Sequence, residues 1–400
     1  MSARPIVAAI GCGGTISSLG RDSLDVLDYP DFGSKLPIEE VVGRVAEVAR
    51  LAEVVPVPFR SVGSTAIGPP EWLELVATIH RLAKERPDLA GFVIPHGTAT
   101  LEETAYFLHL TLKSDKPVVV VGAQRPASAL SSDAGMNLVG AVRAASAASA
   151  CGLGVLVALN DEVHCAREAT KTSTYRLHTF RSPDFGVLGH IDPDGVQIYR
   201  RPVRRHAPNT EFDVSGLDHL PRVDIAYSYG GADGTVIEAL TAAGARGIVS
   251  AGLAPGIPAA KERVALEKAR DAGVIIVQSS GGRQRSRGAA PLSRRGRHDW
   301  RRQPQSAEGA HSAHAGADAY QRREGGSSHV RNLLKALLTR ASTGAQSVCV
   351  CLSWTACSRL TFAGMMLAGS RTVDGSAAMA HPASSWRRRR LVLGSSASRS

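Results

Sequence analysis

The chain has 400 residues, 44% of them hydrophobic, and a mean hydropathy of -0.05. That is apolar material for roughly two to three domains, which excludes wholesale disorder, and the lack of any apolar run of about 18 residues excludes a membrane span. The net charge of +11 is uneven: residues 1–280 hold 27 Lys+Arg against 31 Asp+Glu, whereas residues 281–400 hold 20 against 5.

The opening stretch MSARPIVAAIGCGG carries an apolar run too short for a secretory h-region, so the cytoplasm is the expected compartment. Six cysteines without a repeated CxxC spacing suggest neither a disulfide framework nor a zinc site.

In chain order, PIVAAI (5–10), GFVIP (91–95), KPVVVVGA (116–123) and GVLVAL (154–159) are short, apolar and β-branched, as strands buried on both faces are. EWLELVATIHRLAKE (71–85), announced by Pro69-Pro70, and LEETAYFLHLTL (101–112) read as helices between them. This alternation predicts an α/β fold: a large N-terminal parallel or mixed sheet domain with flanking helices over 1–197. Residues 198–221, with Pro202, Pro208 and Pro221, read as a linker. The pattern restarts with strands at 223–229, 247–252 and 274–280 and helices between them, a smaller C-terminal α/β domain over 222–282. Residues 283–400 form a basic tail without periodicity.

Two strand ends carry candidate chemistry. Strand 5–10 runs into Gly11-Cys12-Gly13-Gly14-Thr15; Ile16 stands where a dinucleotide fingerprint needs its third glycine, and no P-loop lysine follows. What remains is a glycine turn presenting a threonine hydroxyl, for which a plain tight turn is the bland alternative. Strand 91–95 ends in Pro95-His96-Gly97-Thr98-Ala99-Thr100, with Thr100 and Glu103 spaced as a capping box. Thr98 is then left at a strand's carboxyl end, where open α/β sheets place working residues. A threonine hydroxyl needs a base to become a nucleophile. His96 is adjacent but reads as structural. Lys171, among Thr170, Thr172, Ser173 and Thr174, is the other candidate, since a buried lysine of lowered pKa serves as a base; spacing alone favours an exposed loop lysine.

Taken together, these residues resemble the bacterial-type L-asparaginase family over about residues 1–282. Gly13-Gly14-Thr15-Ile16 matches its first signature, and His96-Gly97-Thr98, Thr100 and Glu102-Glu103-Thr104 match its second. GAQRPASALSSDAGMNL (122–138) and REATKTSTYRLHTFRSPDFGVLGHI (167–191) are similar to family segments. The resemblance implies an amidohydrolase that converts L-asparagine to L-aspartate and ammonia through an acyl-enzyme. Thr15 would be the nucleophile, Tyr29 its activator, and Thr98 with Lys171 a second hydroxyl–base pair. Gly63, Ser64, Gly97 and Ala123 would bind substrate, with backbone N–H groups near Thr98 and Ala123 forming an oxyanion hole. No metal or organic cofactor is implied, and the expected assembly is a homo-oligomer, dimer or tetramer.

Two positions depart from the family. Ala99 stands where the pattern has an aspartate that holds the substrate's ammonium, so glutamine or another amide is an alternative substrate. Pro255 stands where some members place an asparagine, which affects a contact from the neighbouring subunit. The family's segment after the last strand, similar to GSGRVV and then ADNLNPQKARILLMLAL, is absent. Back-translation of Arg302–Tyr320 with permitted codons, read one nucleotide on, spells DNLKAQKARIALMLALTR. A single-nucleotide frameshift near Gly281–Arg283 is therefore expected, leaving residues 283–400 out of frame and the product's activity open. The tail's aromatics, Trp300, Tyr320, Trp354, Phe362 and Trp386, are widely scattered, so neither nucleic acid nor membrane is an expected partner.

Overall fold

The computed structural model describes residues 4–280. An eight-stranded mixed sheet organises the larger part. Its strands are β1 (Ile6–Gly13), β2 (Glu53–Val62), β3 (Leu89–Pro95), β4 (Val118–Val121), β5 (Val155–Leu159), β6 (Glu162–Cys165), β7 (Gly189–Asp192) and β8 (Gly195–Ile198), in the order β8-β7-β6-β5-β4-β3-β1-β2. The five strands from β5 to β2 are parallel; β6, β7 and β8 continue antiparallel.

The core strands are where the apolar runs put them. Val118, Val119, Val120 and Val121 are all buried, because helices cover both faces of a parallel sheet. On one face α1 (Pro69–Glu85) buries Trp72, Leu75, Val76 and Ile79, a spacing that makes one helical stripe. Two prolines open it, where the missing N–H groups would be unpaired in any case. Beside it α2 (Leu101–Thr111) packs Phe107 on Trp72 with ring centroids 5.3 Å apart. On the other face α3 (Ala134–Ser146) presents Leu138, Ala141, Val142 and Ala145 to Val93, Val119 and Leu156. Fully burying one such side chain stabilises by about 1.5–3 kcal/mol.

Strand β2 lay outside the sequence reading because VVPVPF looks like a proline-rich loop. It forms the edge of the sheet, with Pro56 opposite Ala9 and Pro58 opposite Gly11. At an edge a proline leaves no inward N–H unpaired.

Residues 199–222 contain no helix or strand, but they are not a free linker. Ala207 and Val214 join the buried core, the Ala207 N–H donates to the His109 carbonyl at 2.9 Å, and Thr210 Oγ1 donates to the Leu110 carbonyl at 2.6 Å. The prolines mark a strap packed on the end of α2.

The smaller part is a parallel sheet of β9 (Val223–Tyr227), β10 (Gly247–Gly252) and β11 (Ile275–Ser280) in sequential order. Helices α4 (Thr235–Ala242) and α5 (Ala260–Asp271) bury Ile237, Ala265, Leu266 and Ala269 against Ala226, Ile248 and Ile276. The expected out-of-frame tail lies outside the described residues.

Candidate active site

Four neighbouring parallel strands, β4, β3, β1 and β2, deliver the predicted residues from their carboxyl ends: Ala123 after β4, Thr98 after β3, Thr15 after β1 and Gly63-Ser64 after β2. This is the edge at which open α/β sheets bind ligands.

Thr15 begins a 3-10 turn, Thr15–Ser17, entered through Gly13 and Gly14, whose φ angles are 83° and 85°. Both lie in the left-handed region that glycine reaches without strain. A Cβ on Gly14 would overlap the backbone of Gly97, and one on Gly13 would overlap the Val62 carbonyl. Ser17 Oγ and Ser18 Oγ each donate to the Gly14 carbonyl at 2.9 Å, which fixes the turn. Thr15 Oγ1 then lies 2.8 Å from Tyr29 Oη. Tyr29 opens a one-turn helix, Tyr29–Phe32, and its pKa is raised chiefly by burial, with the Thr15 hydrogen bond acting the other way.

Gly97 joins the first hydroxyl pair to the rest of the site. Its own Cβ would sit 2.8 Å from Ser64 Cβ and 3.0 Å from Gly14 Cα. Ser64 is buried, and its carbonyl accepts Thr100 Oγ1 at 2.7 Å. The expected capping box at Thr100 therefore does not form: its hydroxyl is turned to the Ser64 carbonyl and caps nothing. A Cβ on Gly63 would meet only Thr65 Oγ1, at an ordinary 3.8 Å, leaving room beside Ser64.

Thr98 is buried and accepts Lys171 Nζ at 2.7 Å. A Cβ on Gly122 would lie 2.8 Å from Thr98 Cγ2, so the loop bearing Ala123 abuts Thr98. That loop is held by Asp133, whose carboxylate accepts the Gln124 and Arg125 N–H groups at 2.9 Å each, and by Asn137 Nδ2 donating to the Gly122 carbonyl at 2.9 Å. Sequence reasoning had not singled out Asn137; a lone amide inside an alanine-rich helix gives no signal of its own.

Lys171 is half-buried rather than an exposed loop lysine. It sits on a two-residue strand, Thr170–Lys171, paired with Phe180–Arg181. Its N–H donates to Glu102 Oε2 at 2.6 Å, and Glu102 is itself buried at the start of α2.

His96 faces away from this chemistry. Trp72 Nε1 donates to Thr104 Oγ1 at 2.9 Å, and Thr104 Oγ1 lies 3.0 Å from His96 Nε2. His96 Nδ1 lies 2.9 Å from the Gly97 carbonyl, which can only accept. The ring is thus a neutral donor at Nδ1 and acceptor at Nε2, and burial lowers its pKa to about 4. Ala99 is exposed at the rim beside Thr98. Among the described residues no cluster of three or more His, Cys, Asp or Glu could hold a metal ion.

Two threonine hydroxyls stand at adjoining strand ends, and a lysine from a separate two-residue ladder reaches the second of them. The "Asparaginase, N-terminal" family model matches residues 6–204, and the "Glutaminase/Asparaginase C-terminal domain" model matches 222–303. The chain is 42% identical over 276 residues to a protein named "Probable L-asparaginase periplasmic" from Haemophilus influenzae, covering 69% of this chain and 77% of that one. It is 38% identical over 274 residues to the glutaminase-asparaginase of Pseudomonas fluorescens biotype A, covering 68% and 75%. The crystal structure of a "Probable Cytoplasmic L-asparaginase" from Campylobacter jejuni superposes with a TM-score of 0.67 at 36% identity, over 72% of this chain and 86% of that one. The chain belongs to the asparaginase family. The relatives' names point to different compartments, periplasm and cytoplasm. No helix among the described residues is long and apolar enough to cross a membrane.

Proposed function

We propose that the protein hydrolyses L-asparagine to L-aspartate and ammonia through a threonyl-enzyme. The observation that carries this reading is the pairing of each hydroxyl with a second proton-transfer group: Thr15 with Tyr29 at 2.8 Å and Thr98 with Lys171 at 2.7 Å.

Thr15 Oγ1 attacks the side-chain amide carbon while Tyr29 Oη takes its proton and passes its own phenol proton on to the departing amide nitrogen. The tetrahedral oxyanion is met by backbone N–H groups of the Thr98 and Ala123 loops, each good donor worth about 3–4 kcal/mol. Collapse expels ammonia and leaves an ester on Thr15. Water attacks that ester while Thr98, with Lys171 as its base, removes the water proton, and aspartate leaves. Ser64 and Gly63 bind the carboxylate end of the substrate, with Gly97 giving the room for it. Dividing the work between two hydroxyl–base pairs lets one pair act in acylation and the other in deacylation.

A second reading, an amidase for glutamine or another amide, is favoured by Ala99. At this exposed position beside Thr98, a methyl group offers an ammonium neither charge nor hydrogen bond. Several relatives carry the name glutaminase-asparaginase. The reading extends to a homo-oligomer, supported by Leu24, Leu27 and Leu130, all exposed, on two segments joined by the Leu130 N–H to the Ser23 carbonyl.

The deciding experiment measures ammonia release from L-asparagine and L-glutamine by the purified chain beside Thr15→Ala. Release from asparagine that vanishes in the variant supports the first reading. Release from glutamine alone supports the second, and release that survives in Thr15→Ala overturns the assignment of the nucleophile.

A further inference from the structure

Outside the site a buried His lies between a buried Ser and a partly buried Glu. His164 Nδ1 is 3.1 Å from Ser182 Oγ, and His164 Nε2 is 3.3 Å from Glu162 Oε2. The residue types are those of a nucleophile, its base and an orienting acid. Burial decides against a second active site: His164 is 0% exposed and Ser182 6% exposed, which leaves a substrate carbonyl no path to the hydroxyl. The trio must serve something other than a reaction of its own.

What it grips is the segment that carries the lysine's partner strand. Glu162 and His164 lie two apart on β6, so both side chains leave the same face. Glu162 Oε1 reaches Arg181 Nη1 at 3.3 Å, while His164 reaches Ser182. Arg181 and Phe180 are the residues paired with Thr170 and Lys171. A ladder only two residues long has little stability of its own. Three anchors fix it: buried Phe180, the bond from the Lys171 N–H to Glu102, and the Glu162–His164 grip on consecutive residues 181 and 182. Glu162 is held below the ordinary carboxylate range, chiefly by His164, and the carboxylate stays charged toward Arg181.

We propose that Glu162, His164 and Ser182 are positioning residues for Lys171. They clamp the 180–182 strand to the main sheet so that the lysine amine meets the Thr98 hydroxyl. The inference rests on the catalytic role given to Lys171 above. Loosening the clamp changes the alignment of one base with one hydroxyl, and a misplacement near 1 Å costs on the order of a hundredfold in rate. It leaves the Ser64 and Thr15 elements, which come from other strands, untouched.

Two readouts test this on the full chain. In His164→Leu, Ser182→Ala and Glu162→Gln, kcat for the amide substrate should fall roughly tenfold or more with KM within about twofold, and Ser182→Thr, which keeps the hydroxyl, should recover most of it. Independently of activity, the rate of Lys171 acetylation by limiting acetic anhydride, followed by peptide mass spectrometry, should rise in the first three variants while those of Lys35 and Lys84 stay constant. Equal labelling of all three lysines, or KM rising in step with a falling kcat, would overturn the proposal as a merely structural effect. If no amide is turned over by the wild-type protein, the catalytic reading fails; the labelling pattern alone still decides whether the clamp holds Lys171.

Discussion

The Lys171 amine donates to the Thr98 hydroxyl at 2.7 Å across 73 positions of sequence. The bond joins the carboxyl end of a central parallel strand to a two-residue ladder tied to the antiparallel strand β6 of the same sheet. Removing either partner should therefore cost the same step. Thr98→Ala and Lys171→Met should each lower kcat by about 10²–10⁴-fold, the range of a positioned proton-transfer group. The double variant should be little worse than either single one, as for residues acting as a unit. Steady-state kinetics on the three proteins checks this; fully additive losses would show that the two act separately.

Tyr29 stands in the same relation to Thr15. Tyr29→Phe keeps the ring's packing and deletes the phenol oxygen 2.8 Å from the Thr15 hydroxyl. The acylation burst should slow by about 10²-fold or more, while deacylation of a pre-formed ester on Thr15 keeps its rate. Rapid-quench measurement of the first turnover separates the two.

His96 gives a stability effect without a catalytic one. Its folded-state pKa is about 4 against an ordinary 6.5. A depressed pKa means that the folded protein resists protonation. The stabilising contribution is complete above pH 6.5 and is lost as pH falls toward 4, by about 3 kcal/mol at most. His109, fully buried and lowered in the same direction, adds to the trend. Urea unfolding between pH 7 and 4 should show the loss, and His96→Asn should flatten part of that slope while lowering overall stability. A wild-type stability unchanged down to pH 4 would contradict the buried neutral ring.

Ala99→Asp places a carboxylate at the exposed rim next to Thr98. A charge-assisted hydrogen bond to an ammonium is worth about 1.5–3 kcal/mol, so KM for L-asparagine should fall by about tenfold or more. An unchanged or higher KM would favour a substrate without an amino group at that point.

The frameshift proposed for residues 283–400 predicts that DNA read across codons 281–283 either carries one nucleotide more or less than the sequence implies, or that restoring the frame raises yield and activity together. An in-frame read with a fully active product as written would remove the proposal.

The sequence made the apolar strands and the two glycine turns legible, because buried parallel strands are continuous β-branched runs and left-handed turns need glycine. Thr98 and Thr15 could be placed at strand ends on that basis, whereas Ser64, which follows the unread strand β2, came only from the family resemblance. The antiparallel extension was harder: EVHC, GHID and GVQI are four residues each with mixed polarity, too short for a period to show. Lys171 was ambiguous for a related reason. Its burial is imposed by Glu102, Phe180 and Arg181, which come from elsewhere in the fold, and nothing in TKTST reveals them. Thr100 shows the opposite error: the Thr-x-x-Glu spacing was present, but a neighbouring carbonyl at Ser64 competed for the hydroxyl and won.

Gly14 and Gly97 meet backbone to backbone, with no side chain between the two turns that carry Thr15 and Thr98. The spacing of the two hydroxyls is thereby set by main-chain thickness, the least adjustable dimension in a protein. Changes of substrate preference are therefore expected at the perimeter, at Ala99 and the Tyr29 segment, because neither Gly14 nor Gly97 admits a larger residue.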